Sequence, residues 1–223
     1  MLLSLSTTIL FGILLGILIC IPIGPINLIT IKLTAKGKRA DALFLALGGS
    51  VMDVVYFLVF LSGLRLITFS DTLTLLFKAI GITFILLLGV SEIVKYIRDK
   101  KNSLLDEKKS EAIINDQKRS NWFLSFISGI VIYTSNPTLV ASMSALAAFV
   151  KSSALVPMTF PFISLFSLFA GVGTFLWFVF LTSLVVKYKS RFNDKFMLKL
   201  NLAFGILITA VAIVMATKLF LSI

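Results

Sequence analysis

The sequence predicts an all-α membrane protein of six transmembrane helices. They are arranged as two inverted three-helix repeats, with the first and fourth helices broken at mid-membrane. Three observations carry this reading. Apolar residues come in long blocks, basic residues gather in alternate loops, and prolines interrupt two of the blocks near their middle.

The blocks come first. Hydrophobic residues make up 58% of the 223 and charged residues only 14%. The mean hydropathy is +1.05. A soluble domain carries roughly 25% charged residues to cover its surface, and it alternates apolar with polar positions. Runs of about 20 apolar residues instead match the hydrocarbon thickness of a bilayer. Six such segments can be read: about Thr8–Ile31, Ala42–Leu64, Leu73–Val94, Trp122–Val150, Pro157–Val186 and Phe196–Leu221. The first lacks the basic start and small-residue cleavage site of a signal peptide, so it counts as a span.

The loops set the orientation. A net charge of +11 would suggest nucleic acid in a soluble protein. Here the charge sits in short connections, and no nucleic acid partner is expected. Lys32, Lys36, Lys38 and Arg39 follow the first span. Lys95 through Arg119 carry a second group, and Lys187 through Lys199 a third. Only Arg65, Lys78, Lys151 and Lys218 fall on the other side. Basic loops stay in the cytoplasm, which puts both termini outside. The mixed-charge stretch 98–120 reads as a cytoplasmic linker. It separates a first repeat, 1–97, from a second, 121–223. Three spans per half is an odd number, so the halves have opposite orientation. Gly49 pairs with Gly171, and Gly81 with Gly205, in a weak internal match.

The interruptions point to a site. Proline inside a helix removes a hydrogen bond and clashes with the preceding turn, at about 3 kcal/mol or more. In lipid the freed backbone groups need protein or trapped water as partners. In Ile21-Pro22-Ile23-Gly24-Pro25-Ile26-Asn27, Gly24 tolerates unusual backbone angles and Pro25 suits the first turn of a restarted helix. In Ser135-Asn136-Pro137-Thr138, Asn136 suits an N-cap and Pro137 a first residue. Two restarts near mid-depth would aim partial positive charge and free N–H groups at the bilayer centre, where they attract a carboxylate. Two independent packing kinks are the plain alternative.

Asp53 is the sharpest single residue, twelve positions into the second span. An aspartate there costs at least about 2.5–3.5 kcal/mol. It can hold a substrate ammonium, carry a proton, or do both in turn; a structural bond to a hydroxyl or amide on another helix is the alternative. Gly49, Ser50 and Tyr56 share its helical face. Asn27, Thr30 and Thr34 form one polar stripe and Thr134, Thr138 and Ser142 another; each lines a path or bonds to its own helix. Gly12, Gly16, Gly171 and Gly173 read as close-packing positions, Glu92 as an interfacial residue, and Trp177 as undecided. Cys20 stands alone, which excludes an internal disulfide. With no His, no acid pair within a span, no metal-ligand cluster and no phosphate-binding Gly-Lys loop, the sequence calls for no cofactor, no metal and no enzyme activity.

These residues resemble the LysE-type amino acid exporter family, which includes threonine and homoserine efflux proteins. The resemblance covers nearly the whole chain. It rests on Pro22-Ile23-Gly24-Pro25, Gly37, Gly48-Gly49, Leu61-Ser62-Gly63-Leu64, Lys78-Ala79-Ile80-Gly81 through Leu88-Gly89, and Asn136-Pro137. It implies a bacterial inner-membrane protein that moves small amino acids outward, driven by proton exchange. The chain departs from the family at Thr138-Leu139-Val140-Ala141, where many members carry a lysine soon after the Asn-Pro.

The function expected is therefore export of an amino acid or close derivative by proton antiport. Gly24, Pro25, Asn27, Asn136, Pro137 and Thr138 receive the substrate, and Asp53 takes the ammonium or the exchanged proton. The partners are substrate, protons and membrane lipid, and a homodimer stays open. A cation or metal exporter is the alternative, although it calls for a second acid or a His at mid-membrane. A membrane-embedded thiol reductase would need two cysteines, and a scaffold would leave the breaks and Asp53 without a role.

Overall fold

The computed structural model describes residues 2–21, 25–66, 70–99 and 121–188, together with 199, 202–203, 205–206, 209–210 and 212–217. Seven continuous helices follow in order: α1 (Leu2–Cys20), α2 (Pro25–Ala35), α3 (Arg39–Arg65), α4 (Asp71–Asp99), α5 (Trp122–Thr134), α6 (Pro137–Ser152) and α7 (Phe160–Lys187). The separately described residues from 199 onward in the last expected span are helical too. Among the described residues there is no strand. Helices satisfy their own backbone, as a bilayer demands. α3 and α7 are long and apolar enough to cross one unaided. The first and fourth expected spans are each divided between two helices, which restart at Pro25 and Pro137.

Local chemistry sets the boundaries. Gly37, at φ +81°, ends α2. Its N–H donates to the Thr34 carbonyl at 3.0 Å, and the Lys38 N–H donates to the Leu33 carbonyl at 2.9 Å. This left-handed cap satisfies the last carbonyls and turns the chain into α3. The Asn121 side chain accepts from the Phe123 and Leu124 N–H groups at 3.2 and 3.4 Å and starts α5. α7 begins at Phe160, three residues later than the apolar run suggested, because Pro161 suits a first turn. α4 runs on to Asp99, past the expected domain boundary at 97. The rest of the linker, 100–120, and Pro22, Ile23 and Gly24 lie outside the described residues.

Glycine sets the helix contacts. A Cβ at Gly16 would stand 2.0 Å from the Ala170 carbonyl oxygen, and one at Gly173 would stand 2.2 Å from that of Ile13. So α1 and α7 touch backbone to backbone. α3 and α5 do the same: a Cβ at Gly48 would meet the Phe126 oxygen at 2.2 Å, and one at Gly129 the Leu45 oxygen at 2.1 Å. Gly49 and Gly171, matched in the sequence reading, meet different surroundings. Gly49 faces the Tyr133 ring, and Gly171 faces Val54 and Ser50. A Cβ at Gly89 of α4 would stand 2.8 Å from the Thr209 nitrogen and 3.0 Å from the Gly205 carbonyl oxygen.

The ends of the bundle are defined by side chains. Arg39 donates to the Ser183 hydroxyl at 2.8 Å, and the Phe44 and Trp122 rings lie 5.4 Å apart. The starts of α3 and α5 and the end of α7 therefore share one end. At the other end the Lys151 ammonium donates to the Leu64 carbonyl, joining α6 to α3. Between the ends, Phe57, Phe166, Ile163, Leu61 and Val150 are buried in one apolar cluster, and Ile26, Ile29, Leu45 and Phe178 in another.

Candidate functional site

Four helices place one polar side chain each around a single point. Asp53 of α3 has no exposed surface. Its Oδ2 accepts from the Thr174 hydroxyl of α7 at 2.8 Å and from the Tyr133 hydroxyl of α5 at 3.3 Å. The thiol of Cys20, the last residue of α1, lies against the same two hydroxyls. The Thr174 hydroxyl also reaches the Gly16 carbonyl at 3.3 Å. Asp53 Oδ1 has no hydrogen-bond partner among the described residues.

Backbone contact explains why these groups meet. Gly16 and Gly173 let α1 settle against α7, which brings Cys20 to Thr174. Gly48, Gly49 and Gly129 let α5 settle against α3, which brings Tyr133 to Asp53. A larger residue at any of them would hold the helices apart.

Chemically the site is a buried carboxyl among neutral donors. A carboxylate accepts through both oxygens, and a buried polar atom without a partner costs about 1–3 kcal/mol. Oδ1 is thus the position at which a proton or a donor group gains most. The carbonyl ends of α1 and α5 add partial negative charge nearby, which also favours a cation or a proton.

The remaining site residues divide. Asn27 is buried at the start of α2. Its Nδ2 donates to the Cys20 carbonyl at 2.9 Å, and its Oδ1 accepts from the Trp177 indole N–H at 3.3 Å. Asn27 thus bridges the first interruption. Tyr56, half-buried, donates to the Tyr133 carbonyl near the end of α5 at 3.4 Å. Asn136 sits between α5 and α6, where its backbone carbonyl accepts from the Leu139 N–H at 3.1 Å. Pro25, Pro137 and Thr138 open their helices, but their side chains, like Gly24 and the Glu92 side chain, lie outside the described residues. Thr34, Thr134 and Ser142 bond to carbonyls of their own helices. Those three serve their own backbone, Asn27 crosses to another element, and the buried Thr30 hydroxyl has no partner among the described residues. Asp53 is enclosed and accepts from two hydroxyls of other helices, the structural alternative that its sequence position left open. Sequence reasoning passed over Cys20, Tyr133 and Thr174 as neighbours of Asp53. The signal was there in part: each lies one to four residues beyond a glycine that permits the approach, as Thr174 follows Gly173, Cys20 follows Gly16 and Tyr133 follows Gly129.

A helical bundle of apolar spans, two of them interrupted, with a carboxyl buried where the first halves end, is the architecture of a membrane protein. The profile of the LysE type translocator family matches residues 17–219, nearly the whole chain. The chain belongs to that family, and it is a membrane transporter. Searches of curated proteins and of solved structures return no match.

Proposed function

We propose that the protein exports an amino acid or a close derivative across the bacterial inner membrane in exchange for protons. The observation that carries this reading is Asp53, enclosed at the meeting point of α1, α3, α5 and α7 with one carboxyl oxygen unpartnered among the described residues. Oδ1 holds the proton in one half of the cycle and the substrate ammonium in the other. The restarted helices α2 and α6 offer N–H groups to the substrate carboxylate, with Gly24, Pro25, Asn136, Pro137 and Thr138 around them. A zwitterion then places one charge on each element. A metal or cation exporter is less well supported, since no group of three or more His, Cys, Asp or Glu gathers among the described residues.

Transport proceeds by alternating access between two inverted three-helix halves. The glycine contacts support this arrangement. One shift along the chain takes Ile13 to Phe126 and Gly16 to Gly129; a second takes Leu45 to Ala170 and Gly48 to Gly173. Applied together, the two shifts turn the α1–α7 contact into the α5–α3 contact, as a two-fold relation between halves requires. The first shift also takes Cys20 to Tyr133, so the two side chains beside Asp53 occupy matching positions. The bundle end that carries Arg39, Trp122 and Lys187 faces the cytoplasm, and both termini lie outside. The enclosed carboxyl belongs to an occluded step of the cycle.

The test is efflux from proteoliposomes preloaded with a mixture of ¹⁴C-labelled amino acids under an imposed pH gradient. Asp53→Asn keeps the shape of the side chain and removes its titration. It should abolish gradient-driven efflux while the protein still elutes as a folded species. Gradient-driven efflux at the parent rate would remove Asp53 from the mechanism.

A further inference from the structure

Thr174 and Trp177 stand one turn apart on α7, on one face of the helix. The first donates to Asp53. The second donates to Asn27, which in turn donates to the last carbonyl of α1. The chemistry of each partner fixes the direction of this chain. An indole N–H can only donate and a carbonyl can only accept, so the Asn27 amide must turn its oxygen to Trp177 and its nitrogen to Cys20. All three links are buried. The second interruption is held from a different helix, α3. Its matching carbonyl, that of Tyr133, takes a hydroxyl from Tyr56 of α3 at 3.4 Å. The two interruptions are therefore tied to different helices, the first to α7, which grips the acid, and the second to α3, which carries it.

We propose that this turn of α7 links the charge state of Asp53 to the joint between α1 and α2, with Trp177 as a positioning residue that acts through Asn27. Asn27 then serves as a strut of the joint in place of a direct substrate contact. When the acid gains or loses its proton or an ammonium, the Thr174 bond changes, α7 adjusts, and the Trp177–Asn27 bond follows. The titratable groups that face Asp53 among the described residues are Cys20 of α1, Tyr133 of α5 and Tyr56 of α3 itself, so the response must be assigned to Asp53 by substitution. The inference rests on the proposed role of Asp53.

Two measurements test it. The chain has two tryptophans, Trp122 and Trp177. Trp122 is exposed at one end of the bundle, so Trp122→Phe leaves Trp177 as the only indole. In that protein, reconstituted in lipid, Trp177 emission should shift between neutral and mildly acidic pH. The shift should vanish on adding Asp53→Asn, and vanish again on adding Asn27→Ala. Emission that ignores pH, or a shift that survives either substitution, overturns the proposal. In the second measurement, Trp177→Phe keeps an aromatic ring and removes only the donor. It should slow efflux of the ¹⁴C-labelled amino acid mixture about tenfold, the loss expected of one buried hydrogen bond. Asn27→Ala should do the same, and the double variant should be no slower than either single one. An unchanged rate in Trp177→Phe, or losses that multiply, overturns the link. Failure of the Asp53 reading shows separately, as gradient-driven efflux that persists in Asp53→Asn.

Discussion

Gly16 is the position where one methyl group should do the most damage. A Cβ built there stands 2.0 Å from the Ala170 carbonyl oxygen, 2.9 Å from its carbon and 3.0 Å from the Thr174 nitrogen. Each of these atoms is backbone in the middle of a long helix, so no rotamer change relieves the overlap. A carbon and a carbonyl oxygen sit comfortably at about 3.3 Å, so α1 and α7 must separate by roughly 1.3 Å. Overpacking of this kind costs about 1–3 kcal/mol, which corresponds to a fall in Tm on the order of 3–10 °C. The separation also pulls Gly16 away from the Thr174 hydroxyl, now at 3.3 Å, and so disturbs the partner of Asp53. The assay uses the protein's own chemistry. Cys20 is its one cysteine and is buried, so a maleimide dye reports its exposure on heating in detergent. Gly16→Ala should unmask Cys20 at a clearly lower temperature than the parent. Gly63→Ala is the control: nothing lies within 4 Å of that site, and alanine in a helix gains about 0.5–1 kcal/mol over glycine. If Gly16→Ala melted with the parent while Gly63→Ala behaved as stated, the backbone contact between α1 and α7 would be wrong.

Two further substitutions give separate tests. Thr174→Val removes the hydroxyl that binds Asp53 and should cost about 1–3 kcal/mol, measured as a lower melting temperature. In an Asp53→Ala background, which leaves no acceptor, the same change should cost measurably less, because the two groups share one bond; equal costs would show that Thr174 acts elsewhere. Asn121→Ala removes the cap of α5 and should cost about 0.5–2 kcal/mol, with gradient-driven efflux retained in the folded fraction.

The interruptions show how far residue chemistry alone reaches. Pro25 and Pro137 open helices because proline cannot continue one and suits the start of the next; that is local, and a single sequence displays it. The start of α5 at Asn121 is equally local, although the apolar run at Trp122 masked the cap. The placing of Asn27 is different. Its side chain was read as a ligand for substrate, and nothing in its own segment shows that an indole 150 positions away donates to it. Likewise Gly49 and Gly171 look alike in sequence, yet they meet a tyrosine ring and a valine side chain, while Gly48 and Gly173 share the matching backbone contacts.

From its order of residues alone this protein was already a membrane-embedded helical chain, with basic loops, two proline restarts and one costly acid in an apolar span. Those features follow from solvent preference and backbone geometry, which act within a turn or a span. Only the tertiary structure decided that the acid is enclosed, that Cys20, Tyr133 and Thr174 are its neighbours, and that Asn27 ties the first interruption to α7. These depend on which helix backbones can touch, and that is settled by contacts between glycines and carbonyls far apart in the chain.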